Sequence, residues 1–180
     1  MLHLKNTGFA PQDTGELLER ARMLGKGCII RDCRVSTKYV EFDVSISKSR
    51  LDILLEKLTV IAPLDHARLV EEENIDKDEG VQKGISYFND ERFWEAHEVL
   101  EGVWKKSYEG EKELVQGIIL IAAALVHFQK AENLICLSIL KRAEEKLSRS
   151  GGMYHDIDVD QMRKKLHQII DSEKIFLFTI

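Results

Sequence analysis

The segment Gly117–Val126, GIILIAAALV, sets the strongest limit on what this chain can fold into. With EKELVQ before it and HFQKAE after it, it reads as the middle of a helix that is apolar nearly all round. Such a helix cannot lie on a surface; its neighbours must cover most of it. Its apolar run, Ile118–Val126, falls far short of the ~20 residues that cross a bilayer, so protein must do the covering. The composition supplies the means. Of 180 residues, 44% are hydrophobic and 32% charged, which suits one domain or two small ones with a real core and argues against disorder.

The net charge of −5 and pI near 5.7 argue against a general nucleic-acid binder, which is usually basic. Three cysteines, Cys28, Cys33 and Cys136, make no disulfide framework and are expected to be reduced core thiols. The opening MLHLKNTGFAPQD shows no basic start and no long apolar segment, so no signal peptide is visible. A soluble cytoplasmic protein without a membrane segment is the expectation.

The chain has two rhythms. In the first part LHLKNTGF reads as a strand. Pro11, Asp13 and Thr14 open a helix that Gly25 and Gly27 end. CIIRDCRV and YVEFDVSI read as paired strands, the second with Val40, Phe42, Val44 and Ile46 alternating against polar residues, the pattern of a half-buried strand. RLDILLEKL is a helix, and HARLVEE after Pro63 a last strand. The order strand, helix, strand, strand, helix, strand points to a ferredoxin-like split sandwich over residues 1–74. The sheet offers no run of exposed aromatics for stacking bases, so packing or dimerisation is the expected role rather than RNA recognition. The charged run 71–79, EEENIDKDE, reads as the linker, or as a linker running into the next helix.

From about Lys77 the pattern is helical throughout. VQKGISYF, ERFWEAHEVLEGVWKKS, EKELVQGIILIAAALVHFQKAE, LICLSILKRAEEKLSR and VDQMRKKLHQIIDSE give about five helices over residues 75–180, with Asn133 and Asp158 as caps of the last two. The final KIFLFTI is too apolar to stay in water and is expected to dock. The whole is an α+β chain: a ferredoxin-like βαββαβ module followed by an all-α bundle.

The second of these helices carries the residues that point to chemistry. With ~100° per residue and His97 as origin, Phe93, Leu100 and Trp104 lie within about 60° on one side, with Ala96 and Val103 just beyond. Glu101 and Trp94 lie within about 60° on the other. Glu95, Gly102 and Lys106 take the far side, and Glu98 can be wet. His97 and Glu101 are thereby expected inside the apolar arc. A buried carboxylate needs a partner. His97 one turn away is the nearest; an antiparallel third helix would also offer Gln116, with Gly117 letting the backbones approach. His127 is a weaker candidate for the same cluster. HEVLE lacks the second histidine of the zinc-protease motif. A metal site from His97, Glu101 and a third ligand is chemically sound for a divalent transition metal, but two ligands fall short of the usual three or more. No Ser-His-Asp or Cys-His arrangement and no phosphate loop is readable.

The block FNDERFWEAHEVLEGVWKKS followed by EKELVQGIILIAAALVHFQKAE closely resembles the domain-of-unknown-function family 309, over about residues 80–148. Its hallmark, H-x-x-x-E-x-x-W, is matched by His97, Glu101 and Trp104. The resemblance implies a compact all-α bundle of bacteria and archaea, with a motif suggested to bind metal and no established reaction. Gly84, Tyr87, Ala96 and Leu100 also fall at the spacing of a tetratricopeptide helix pair, without a second copy. Three readings stay open. One is a non-catalytic binding or scaffold protein in which the motif His97, Glu101 and Trp104 forms a buried polar cluster or small pocket, with Glu98 and Gln116 as further candidate binding residues. Another is a metal-dependent, hydrolase-like enzyme with His97 and Glu101 as ligands and Glu98 as a nearby base. The third is a tetratricopeptide-like peptide scaffold. A protein partner or a second copy fits each of them.

Overall fold

The computed structural model describes residues 1–70 and 75–180. The expected linker therefore lies partly outside the described residues, at 71–74. Its remainder runs into the next helix, as the second of the two readings has it: the first helix of the second part begins at Lys77, with Asp76 Oδ1 accepting from Glu79 N at 2.9 Å as its cap. The chain divides into two units, Met1–Glu72 with Gln129–Ala131, and Glu73–Phe128 with Glu132–Ile180.

In the first unit the elements run β1 (Leu2–Lys5), α1 (Thr14–Leu24, entered by a short 3-10 turn at Pro11–Asp13), β2 (Ile29–Val35), β3 (Tyr39–Ser45), α2 (Lys48–Leu58) and β4 (Leu64–Ala67). The sheet order is β2-β3-β1-β4, and each neighbouring pair is antiparallel. The last strand lies upstream of its expected place and stops before Arg68. One face of the sheet is apolar: Leu2, Leu4, Cys33, Val35, Val40 and Phe42 close a core with Leu17 and Ala21 of α1 and Leu54 and Leu58 of α2. Val44 and Ile46, expected to continue the alternation inward, are only partly buried.

The second unit holds α3 (Lys77–Asn89), α4 (Phe93–Lys106), α5 (Glu109–Phe128), α6 (Asn133–Leu147) and α7 (Val159–Ser172). The described residues thus form seven α-helices, two beside the sheet and five here. This unit is not all-α, because two-residue strands β5 (Met153–Tyr154) and β6 (Ile157–Asp158) pair between α6 and α7. Strands this short leave no periodicity to read. The apolar segment is the middle of α5, which packs on α4 and α6; Ile118, Ile121, Ala122, Ala124 and Leu125 are wholly buried. Glycines bring helices close. A Cβ on Gly84 would stand 2.6 Å from Leu100, and one on Gly117 2.5 Å from Leu147. Gly117 therefore admits α6, not α4 as the hairpin register had suggested. Asp158 caps α7 through Gln161 N. The cap position of α6 is Glu132, whose side chain makes no capping hydrogen bond to this helix, rather than Asn133. Ile175, Phe176, Leu177, Phe178 and Ile180 dock on this unit's core.

Candidate functional site

The motif residues sit on α4, but rotated from their expected place. Phe93, Ala96, Leu100 and Val103 are the buried apolar residues of this helix. Their arc centres between Ala96 and Leu100, roughly 80° from His97. His97 falls at its edge with a side chain 25% exposed, and Glu101 beyond it at 50%. The two do not form a buried cluster. The buried carboxylate of α4 is Glu95, assigned above to the wet side. Its two oxygens take both Nε and Nη2 of Arg92 at 2.6 and 2.7 Å, and the Arg92 guanidinium lies 4.4 Å from the centre of the Tyr87 ring.

His97 is held between two carboxylates. Its Nδ1 lies 3.5 Å from Glu98 Oε1, and its Nε2 lies 3.6 Å from Glu101 Oε1. Glu101 thus finds its partner in His97 and not in Gln116, which is half-buried on α5. Trp94 and Trp104, also half-buried, flank the pair along the helix, and the Lys112 ammonium stands 5.0 Å from the centre of the Trp104 ring. His127 is not part of this group; it pairs with Glu132. Among the described residues no group of three or more His, Cys, Asp or Glu is disposed to hold a metal ion. The three thiols are free. Burial pushes Cys33 and Cys136 up to about 12, so neither is a nucleophile or a ready ligand near neutrality.

Two polar constellations went unread in the sequence. The first is a row across all four strands, on the sheet face opposite the apolar core. Arg34, Glu41, His3 and His66 are successive cross-strand partners. Arg34 Nε donates to Glu41 Oε2 at 3.1 Å. His3 stacks on His66 with ring centres 4.2 Å apart, and Asp65 Oδ2 stands 2.8 Å from His66 Nδ1. Arg34, Glu41 and His3 are at most 2% exposed. Alternation in YVEFDVSI gave the parity of this face but not its burial.

The second is centred on Glu111 in the first turn of α5. Its carboxylate accepts Lys77 Nζ at 3.0 and 3.2 Å and the Tyr154 hydroxyl at 2.6 Å. It thereby ties the start of α3 and the β5–β6 hairpin to α5. Burial pushes the Glu111 carboxyl up, but hydrogen bonds from Tyr154 and Lys77, the Lys77 charge and Ser107 outweigh it and hold the group below its ordinary 4.5. Burial first, and then the bond to Glu111, push the Tyr154 phenol upward, so it stays a neutral donor. A depressed native value means stability that is full above the unfolded carboxylate's range and lost as pH falls through the native value. Glu111→Gln is therefore expected to cost about 1–2 kcal/mol at neutral pH. Urea titrations of the two proteins should converge below pH 4.5; a gap independent of pH would mean that the charge of Glu111 is not what stabilises the hairpin.

Residues 81–136 match the model of the family described as Domain of unknown function (DUF309). The resemblance carried by His97, Glu101 and Trp104 holds over this segment, from α3 into the first turn of α6. No curated protein and no solved structure matches the chain.

Proposed function

From the family membership of residues 81–136 and the exposure of their motif, we propose that this is a non-catalytic binding protein, with the outer stripe of α4 as its recognition face. One observation carries the reading: His97, Glu98 and Glu101 stand outside the core between two half-buried tryptophans. A polar set there is free to meet a partner. Outward carboxylates beside indole rings suit a basic segment of another protein, through ion pairs and cation–π contacts. We read the first unit as ferredoxin-like, on its element order and strand order, with packing or pairing as its role. No helix among the described residues is long and apolar enough to cross a membrane, and a cytoplasmic setting fits the reduced thiols.

The two tryptophans of the chain both flank this stripe, so intrinsic fluorescence reports on it. An Arg-rich peptide titrated at physiological salt is expected to shift that emission saturably, and Glu98→Gln with Glu101→Gln to weaken it about tenfold. Equal binding by wild type and double variant would remove the reading.

A metal-dependent enzyme is the second reading. Its support is the one-turn spacing of His97 and Glu101, whose Nε2 and Oε1 are 3.6 Å apart and could turn to one divalent transition ion. Its third ligand would come from a substrate or partner. Elemental analysis of protein purified without chelators separates the two. Stoichiometric metal that disappears in His97→Ala supports the enzyme, and metal-free protein with an unchanged melting temperature in His97→Ala supports the binding face.

A further inference from the structure

Residues 174–180, KIFLFTI, form neither helix nor strand, yet they are laid along the helical unit. The turn that starts them is at Glu173, whose φ of 53° lies in the left-handed region and ends α7. Ile175, Phe176, Leu177, Phe178 and Ile180 rest against the core, each only half-buried. Their main chain is held by side chains. Asn89 donates its amide to the main-chain oxygen of Ile180 at 3.0 Å and accepts the Ile180 N–H at 2.8 Å. Lys165 Nζ donates to the Thr179 carbonyl at 3.0 Å and stands 5.4 Å from the centre of the Phe178 ring. Phe178 lies on Phe88, ring centres 5.8 Å apart.

An amide that pairs with both main-chain groups of one residue grips a peptide whatever its sequence, while an apolar bed selects its side chains. Those are the two parts of an extended-peptide site. No residue of 174–180 is buried as fully as Phe88 and Phe93 of the core beneath. We propose that the surface framed by Phe88, Asn89 and Lys165 is a binding groove for an extended apolar peptide, and that residues 175–180 are its resident ligand. The incoming partner is a segment with apolar side chains at the spacing of Ile175–Ile180, and the resident segment keeps the groove closed until it arrives. The groove stands independently of the His97 stripe.

The test uses the full chain and a labelled peptide of sequence KIFLFTI joined to a polar tag. Hydrogen exchange should release the amides of 175–180 at least about 100-fold faster than those of α5, by local opening. Phe178→Asp weakens the resident ligand without touching the groove, and should raise affinity for the added peptide about tenfold or more. Asn89→Ala in that background should lower it again about tenfold. The proposal is overturned if 175–180 exchange only with global unfolding. It is equally overturned if Phe178→Asp unfolds the helical unit, or if the variant stays folded and binds the peptide no better than wild type.

Discussion

Glu95→Ala is expected to cost about 3 kcal/mol of stability, and Glu101→Ala on the same helix less than about 0.5 kcal/mol. Glu95 is 2% exposed and holds Arg92 in a two-pronged bond. Removing it strands a guanidinium whose side chain is only 13% exposed against the Tyr87 ring. Losing one partner of a buried pair is costly because the other keeps its desolvation penalty without its bond. Glu101 is half in water, and its contact with His97 is an exposed one-turn pair, the kind that contributes little. Chemical denaturation of both variants checks this. An Arg92→Met, Glu95→Leu double variant sharpens it: recovery of most of the loss would show that the single-site cost is the stranded charge. Equal losses in Glu95→Ala and Glu101→Ala would contradict the assignment.

That pair also shows where sequence reading stops. The wheel gave the spacing of α4 correctly but centred the apolar arc on His97. Trp94 and Trp104, each within about 60° of His97 on the wheel, pull the arc toward the histidine. Tryptophan combines a large apolar body with a polar edge and is often only partly buried. With Phe93, Ala96, Leu100 and Val103 alone, the arc moves away from Glu101 and toward Glu95. Arg92, three residues and less than one turn before Glu95, is the local signal that this carboxylate has a partner; placing Glu95 on the far side of the wheel hid it.

The order of elements was legible for a different reason. Strand and helix periods depend only on neighbours in the chain, and α5 announces its own burial. The polar row Arg34–Glu41–His3–His66 depends on register between four strands, and the Glu111 cluster on a hairpin too short to leave a pattern. Long-range pairing is the part that a single sequence conceals.

Gly117→Val is expected to be the most damaging single change in the helical unit, costing about 3 kcal/mol or more. The first added carbon would stand 2.5 Å from Leu147 Cγ, the branch point of a side chain that is itself wholly buried. Leu147 cannot swing its far end aside to relieve that contact, because the overlap is at its stem. Relief requires α5 and α6 to separate, which opens the core along the helix that most needs covering. Gly102 supplies the control. It too lies mid-helix, on α4, but a Cβ there would meet nothing within 4 Å. Gly102→Ala should leave the fold intact and raise stability by about 0.5–1 kcal/mol through helix propensity. If glycine matters in these helices only through propensity, both substitutions stabilise. If close approach decides, thermal melts of the two variants move in opposite directions. Leu147→Ala in the Gly117→Val background should then recover part of the loss, since it removes the atoms that the new side chain meets.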